Sequence, residues 1–590
     1  MSGFVAVISR RGAWVNGSLL ERLAAPLASH GPHGSGSHRD GPAGLAHALF
    51  VTRENASVGP HRSSRGAWLV GDIRLDAQAE LRDALAAAGS ADPTGDDDEA
   101  LVHAAYQAWG EDAVSRLRGD FSFALWDPRL GVLLCARDAF GVRPLYYAET
   151  GDAFVCSNLL AAVRAHPAVS ARLHEPAIVS FLQWGFNVDL TRTTFADVHR
   201  LAPAHQLRVT GDAVGVPRRY WSFPVPARLV YRRDEEYVEH YRAVLGEAVR
   251  DRIRVPRLGI LMSGGLDSTS LSATVRHVSP HTELVAYTTE VSSLVQNDDV
   301  TLARAVAERL GIRHEIVEDV SPALEHLTDA GFRSPEPLDE PEHAAWSRLA
   351  GRMSKASPVA FMGEDADALF RPPSLLAMLR NWPARDVLAR AVRFTLAHGR
   401  HPHLGINLRK RIADFRTPAA ASAPAWLRRD VLLRTGIPSE ARVPAHPARP
   451  ETQRFLLGSL WQSLHESCDT AYTGAALELR WPFLDIRVLE FALAIPPIPW
   501  CQRKELARVA FRGELPARVI ARPKTTLPGY YEAQVKRWRA GRGGPGIEFG
   551  PVTREFVDSS RVLDNLQRGG SDDVVAAWRV LELDRWLRAG

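Results

Sequence analysis

Apolar positions follow two different rhythms along the chain, and the change between them divides it. From residue 1 to about 210 they form short alternating or continuous runs, including Phe4 to Ile8, Ala67 to Val70, Phe121 to Trp126 and Val132 to Cys135, separated by glycine-rich turns; this predicts strands. Three-to-four spacing is confined in this half to Ala77 to Ala88 and Glu99 to Trp109, which predicts two helices. Near residue 257 the rhythm becomes strand, helix, strand, helix, strand: Leu258 to Met262, Thr269 to His277, Leu284 to Thr288, Asp298 to Leu310 and His314 to Val317. Such alternation predicts βαβ units in a parallel sheet flanked by helices, and sheets of this kind bind nucleotides at the carboxyl ends of their strands.

The expected fold class is therefore β-rich α+β over 1–210 and α/β over 234–590, with 211–233, which holds Pro217, Pro224 and Pro226, as linker. From residue 452 a helical stripe returns through Phe455, Leu456, Leu460 and Leu464. Between these, residues 371–450 form a basic, insertion-like region with Arg380, Arg385, Arg390, Arg393, Arg400, Arg409, Lys410 and Arg411. A solvated helical face and a docking surface for an acidic peptide or partner both fit it. His398-Gly399-Arg400-His401-Pro402-His403 lacks the register of a metal site and reads as a surface loop.

Composition narrows the function classes. At 590 residues, 45% hydrophobic and 24% charged, the chain is an ordinary globular enzyme with more than one core. Lysine and arginine (72) nearly balance aspartate and glutamate (68), so the overall field gives no reason to expect a nucleic acid or an anionic membrane. Cys135, Cys156, Cys468 and Cys501 are scattered, against both a disulfide framework and a structural zinc site. An export signal and an apolar run long enough for a membrane span are both missing from the pattern, so the expected location is the cytoplasm.

The strongest local signal for chemistry is the apolar strand ending at Leu261-Met262, followed by Ser263-Gly264-Gly265-Leu266-Asp267-Ser268 and a helix. Paired glycines let backbone N–H groups close on phosphate oxygens, serine hydroxyls add donors, the helix N-terminus adds positive potential, and Asp267 can hold Mg2+. The string resembles the pyrophosphate loop of adenylate-forming ATP pyrophosphatases, and the chain as a whole resembles a class B asparagine synthetase homologue. Three further stretches carry that resemblance in family order: Leu117 to Asp127, Arg137 to Tyr147, and Glu478-Leu479-Arg480-Trp481-Pro482-Phe483-Leu484-Asp485.

The resemblance implies an Ntn-type, class II glutaminase-like β-sandwich domain followed by an adenylate-forming ATP-pyrophosphatase domain, with ATP and Mg2+ as cofactors. It implies nucleotide contacts from Leu261, Ser263–Ser268, Met362 and Gly363, a second metal carboxylate at Asp367 beside Asp267, and a lysine on the α-phosphate at Lys524, within Arg522-Pro523-Lys524. Glu364 and Glu478 match carboxylates of which one deprotonates the attacking amine; either is equally suited to an ion pair. Asp365 stands where a small residue is usual, and Ala368 where an acid is usual.

In the same comparison the amino-terminal half has lost its glutaminase residues. Ser2 stands for the cysteine nucleophile, Leu49 for the carboxylate-gripping arginine and Val70 for the oxyanion asparagine. Ammonia is then not the expected acceptor, and an amine in the same substrate gives a ring. Ser334-Pro335-Glu336-Pro337-Leu338-Asp339-Glu340-Pro341 resembles a phrase of the lasso-peptide macrolactam synthetases. The expected substrate is thus a precursor peptide, with a leader-binding protein and a leader protease as partners. A β-lactam-synthetase-like cyclisation of a small amino-acid derivative and a non-catalytic scaffold are the alternatives.

Overall fold

The computed structural model describes residues 1–90, 97–291, 294–318, 322–329, 333–403, 423–436, 445–524, 529–542 and 547–589. Over these residues the amino-terminal half contributes β1 (Gly3–Ser9), β2 (Ser35–Asp40), β3 (Ala43–Ala48), β4 (His61–Arg62), β5 (Trp68–Leu75), β6 (Gly119–Asp127), β7 (Val132–Arg137), β8 (Tyr146–Glu149), β9 (Ala153–Ser157), β10 (His199–Arg200), β11 (His205–Thr210) and β12 (Arg218–Arg219). They form two antiparallel sheets, in the orders β10-β8-β9-β1-β3-β2 and β12-β11-β7-β6-β5-β4.

The continuous apolar runs arise because these strands are covered on both faces. In β1, Phe4, Ala6 and Ile8 enter the core between the sheets with Val70, Ala124, Trp126 and Leu133, whereas Val5 and Val7 face Leu20 and Leu23 of the helix Gly17–Ala24. In β6, Ala124 and Trp126 face inward, whereas Phe121, Phe123 and Leu125 pack under the helices Gln78–Ala87 and Asp98–Trp109. A period of two then buries every residue, and the layers run helix, sheet, sheet, helix. The expected linker is only partly one: Arg218 and Arg219 extend the second sheet, and the Tyr220 hydroxyl donates to the Arg137 carbonyl at 2.8 Å.

The second half holds a parallel sheet of β13 (Arg257–Leu261), β14 (Glu283–Glu290), β15 (Arg313–Glu318), β16 (Val359–Phe361) and β17 (Glu478–Arg480), in the order β15-β14-β13-β16-β17. The chain moves outward from β13 to β14 on one side and returns to β16 on the other, so β13 is the switch point at whose carboxyl end a crevice opens. A further helical layer from residues 423–436 and 529–589 packs Trp426, Val535, Trp538, Phe556 and Trp578 against Ile178, Val179, Phe181 and Leu182 of the amino-terminal half. Arg409, Lys410 and Arg411 of the basic region lie outside the described residues. The stretch after His398 carries no helix or strand through residue 403, as a loop should. No helix among the described residues is long and apolar enough to cross a membrane.

The two halves meet through buried guanidinium groups. Arg143, 1% exposed, pairs with Asp72 at 3.2 Å in its own half and with Glu478 of β17 at 3.0 Å. Arg252, also 1% exposed, closes the helix Asp234–Arg252 and reaches Asp76 at 2.8 Å and Asp485 at 2.7 Å. Arg200 joins Glu336 and Glu466, His30 joins Asp469 at 2.7 Å, and Arg254 joins Asp98 at 2.6 Å.

Arg252→Ala takes one of two guanidinium partners from each of the buried carboxylates Asp76 and Asp485, which keep Arg74 and Arg487, and is expected to destabilise the protein by about 3 kcal/mol; a denaturant midpoint equal to that of the parent would contradict this. Acid should also weaken the fold. Burial lowers His47 and His103 to about 4 and His465 to about 3. An unfolded chain takes up these protons from about pH 6.5 downward, whereas the native state does not. Stability is then complete above about pH 6.5 and falls as the pH drops toward 4, which denaturant midpoints at a series of pH values will register.

Candidate active site

β13 ends at Leu261, and Met262-Ser263-Gly264-Gly265 lead into the helix Leu266–Val278. Gly264 has φ +65°, and a Cβ there would stand 2.7 Å from the Asp299 carbonyl oxygen, so only glycine makes the turn. Gly265 is extended, and the first N–H groups of the helix lack intrahelical acceptors. The positive end of a thirteen-residue helix therefore opens at the switch point, the arrangement that favours phosphate. The Ser263 N–H donates to the Ser268 hydroxyl at 3.3 Å and tightens the loop.

The neighbouring strand β16 runs into Met362-Gly363-Glu364-Asp365-Ala366-Asp367. A Cβ on Gly363 would lie 3.1 Å from the Ser268 nitrogen, so the absent side chain lets this second loop rest on the start of the helix. Asp267 and Asp367 are thereby brought together: both carboxylates contact the ammonium of Lys504, Asp367 at 2.5 Å, and Lys524 reaches the other Asp367 oxygen at 2.8 Å. Burial pushes the Asp267 carboxyl above its ordinary range, with Lys504 opposing and the Asp367 charge adding to the rise. Burial would raise Asp367 as well, but Lys504 and Lys524 together hold it below.

Two carboxylates converging on one cation suit Mg2+, which binds through one or two carboxylates and completes its shell with water and substrate phosphates. Among the described residues no group of three or more His, Cys, Asp or Glu is arranged to hold a metal, which also excludes an all-protein cage there.

Lys504 escaped the reading of the sequence, where Arg503-Lys504 resembles any exposed basic pair. Its mark is conformational: Arg503 and Lys504 take φ of +51° and +58°, a left-handed geometry uncommon for residues with a Cβ. Arg522 clamps the site from outside, pairing with Asp298 at 2.9 Å and Asp299 at 2.5 Å and donating to the Ser263 carbonyl at 3.3 Å. Lys524, two residues on, thereby leaves a fixed base.

The two candidate bases separate. Glu364 is exposed three residues beyond the end of β16, and its carboxyl is raised by desolvation from the surrounding walls and by Asp367. Glu478 is 2% exposed and opposes Val359, two residues short of that strand end; it pairs with Arg480 at 2.6 Å and Arg143 at 3.0 Å, which hold it below the usual carboxylate range against its burial. Its place in the structure is that of the ion-pair partner. Asp365 is completely buried, neither carboxyl oxygen has a hydrogen bond, and burial followed by Glu364 pushes its carboxyl well above the usual range.

In the amino-terminal half the Ser2 hydroxyl accepts from the Phe50 N–H at 3.0 Å, the Ser2 N–H donates to Asp72 at 3.3 Å, and Asn158 donates to the Ser2 carbonyl at 2.7 Å. Leu49 and Val70 are buried, Val70 within the core between the sheets. The Pro-Glu-Pro-Leu-Asp segment lies between the halves: Glu336 accepts from Thr194 and pairs with Arg200, and Asp339 pairs with Arg579 at 2.8 Å.

The asparagine synthase family model matches residues 240–588 and the glutamine amidotransferase domain model residues 1–221. "Asparagine synthetase (glutamine-hydrolyzing) 3" of Bacillus subtilis is 27% identical over 76% of this chain and 73% of its own. A putative asparagine synthetase (glutamine-hydrolyzing) of Mycobacterium bovis is 27% identical over 86% of this chain and 82% of its own. Among solved structures, the glutamine phosphoribosylpyrophosphate amidotransferase of B. subtilis overlaps 63% of this chain and 82% of its own, with 14% identity and a TM-score of 0.29.

Lys504→Gly removes an ammonium and relieves a left-handed backbone in one step. We expect melting in the presence of Mg2+ to be unchanged or higher, while ATP-dependent turnover falls about 10²- to 10³-fold, as when one preorganised charge is removed. Retained turnover would show Lys504 to be structural.

Proposed function

The chain belongs to the asparagine synthase family, whose members form amide bonds with ATP, and we propose that it is a lasso-peptide macrolactam synthetase. It activates an Asp or Glu side chain of a precursor core peptide and joins it to the peptide's own amino terminus. The observation that carries this choice of acceptor is the apolar, occupied state of the former glutaminase positions. The Ser2 hydroxyl is engaged by the Phe50 N–H, and Leu49 and Val70 offer neither a carboxylate clamp nor an oxyanion donor. With no ammonia made in place, the amine comes with the substrate.

The residues divide the work. The loop Ser263–Ser268 and the helix behind it bind the β- and γ-phosphates, with Leu261, Met362 and Gly363 bordering the nucleotide. A substrate carboxylate oxygen attacks the α-phosphorus, pyrophosphate leaves, and the acyl-adenylate remains. Asp267 and Asp367 would hold Mg2+, which when bound neutralises the leaving pyrophosphate. Lys504 and Lys524 turn from these carboxylates to the phosphate oxygens, where negative charge grows. Glu364, its carboxyl raised, takes the proton from the attacking amine, and AMP departs with the bridging oxygen. The precursor peptide is the substrate, with a leader-binding protein and a leader protease as partners.

Incubation with ATP, Mg2+ and the leader-free peptide encoded by a short gene beside this one should release AMP and pyrophosphate. The product should be lighter by one water, and Asp267→Ala should abolish it. A competent preparation that leaves the peptide linear refutes the cyclase reading; closure of a small β-amino acid derivative instead would make the enzyme a β-lactam synthetase. Pyrophosphate release by neither substrate would leave the scaffold reading.

A further inference from the structure

Between the halves lies a cavity of about 200 Å³, bounded on one side by the end of the helix Glu175–Trp184 and on the other by the Pro-Glu-Pro-Leu-Asp segment and the helix Ser459–Ser467. Its walls mix polar and apolar groups, the apolar ones being chiefly Phe181, Trp184, Leu338, Leu460, Leu464 and Tyr472. Drug-sized ligands fill cavities of roughly 300–1,000 Å³, so this one admits the end of a larger molecule.

The polar groups of the wall are unequally satisfied. Glu336 and Glu466 share Arg200, and Asp339 has Arg579. Gly185, with φ +84°, makes room for that acid: a Cβ there would fall 1.9 Å from the Asp339 carboxylate. One acceptor lacks a donor and one acid lacks a counter-charge. Gln462 is 5% exposed; its amide nitrogen donates to Glu466 at 3.1 Å, which fixes its orientation, and its amide oxygen has no donor. Glu340, half-buried, accepts a backbone hydrogen bond from Glu342 but has no basic partner among the described residues, and its nearest charges are the carboxylates of Glu342 and Asp339. Burial and these neighbours push it up to about 8. A buried amide oxygen without a donor calls for one, and beside acids without a counter-charge that donor is a cation.

One buried thiol links the cavity electrostatically to the β16 loop. Gln462 and Glu466 project from the helix that ends at Cys468, and the buried Cys468 thiol feels both the Glu364 and the Glu340 carboxylates.

We propose that this cavity is the acceptor subsite, taking a primary ammonium on a short apolar peptide end, with the Gln462 amide oxygen and the Glu340 carboxylate accepting its N–H bonds. The proposal rests on the cyclase reading for the identity of that end as the amino terminus of the precursor. Aromatic and aliphatic walls then hold the first side chain while the ammonium waits within reach of Glu364.

Leucinamide and N-acetyl-leucinamide serve as probes, titrated calorimetrically into the full-length protein at pH 7 without ATP. Leucinamide should bind at least about tenfold more tightly than its acetylated form, the difference expected of a charge-assisted hydrogen bond. Gln462→Leu and Glu340→Gln should each remove most of that difference. Leu460→Trp, at a half-exposed position on the cavity wall, should block leucinamide without changing the melting temperature. Equal affinity for the two probes, no binding of leucinamide, or unchanged affinity in all three variants overturns the proposal. Leucinamide binding together with a peptide left linear overturns the cyclase reading and leaves the subsite, whereas ring closure without leucinamide binding overturns the subsite alone.

Discussion

Guanidinium groups buried between carboxylates of opposite halves decide how this chain is put together. Arg143, Arg200 and Arg252 each hold at least one acid from each side of the boundary or join the two directly, and none can be exposed to water without leaving the others. Desolvating such groups is costly, and the mutual attraction offsets that cost only when the geometry is kept. The interface is therefore specific rather than merely adhesive. It fixes β17, and with it the β16 loop carrying Glu364 and Asp367, against the amino-terminal sandwich. That gives the amino-terminal half a structural role: without it, Glu466 would be a buried acid with no counter-charge, and Glu478 would keep Arg480 alone.

The adenylation site draws on a different device, absence of side-chain atoms. Gly264 and Gly363 let the Ser263–Ser268 loop, the Asp299 backbone and the β16 loop approach more closely than any Cβ permits. The result is a helix N-terminus facing open space, with two acids and two lysines around it. Rigid neighbours hold every element: the strand β13, the ion pairs of Arg522, and the hydrogen bond from the Met362 N–H to the Arg480 carbonyl at 3.0 Å.

Much of this was legible in the sequence because it depends on local pattern. The strands buried on both faces announce themselves as unbroken apolar runs, the parallel sheet as alternation, and the phosphate loop as glycines between a strand and a helix. Asp267 was marked by its place in the glycine-rich loop after β13, and Asp367 by the family resemblance of the loop after β16. Other features depend on tertiary placement that no local pattern encodes. Lys504 meets Asp267 only because two consecutive residues adopt left-handed backbone. Glu478 looked like a candidate base until its neighbours were known, since a carboxylate on a short strand carries no sign that Arg143, more than three hundred residues earlier, will neutralise it. The strand at Arg218–Arg219 was hidden among prolines, being only two residues long.

The lysines at the metal carboxylates have a consequence for how the enzyme rests. Lys504 is a tethered counter-ion that holds the place of a cation between the two carboxylates. A bare cation gains little by displacing it, because the ammonium would be stranded. A cation arriving with a triphosphate brings the displaced ammonium a new anion at the same moment, so metal and nucleotide favour each other's entry. The empty-handed enzyme is in this sense already charge-balanced, and loading it is an exchange of partners.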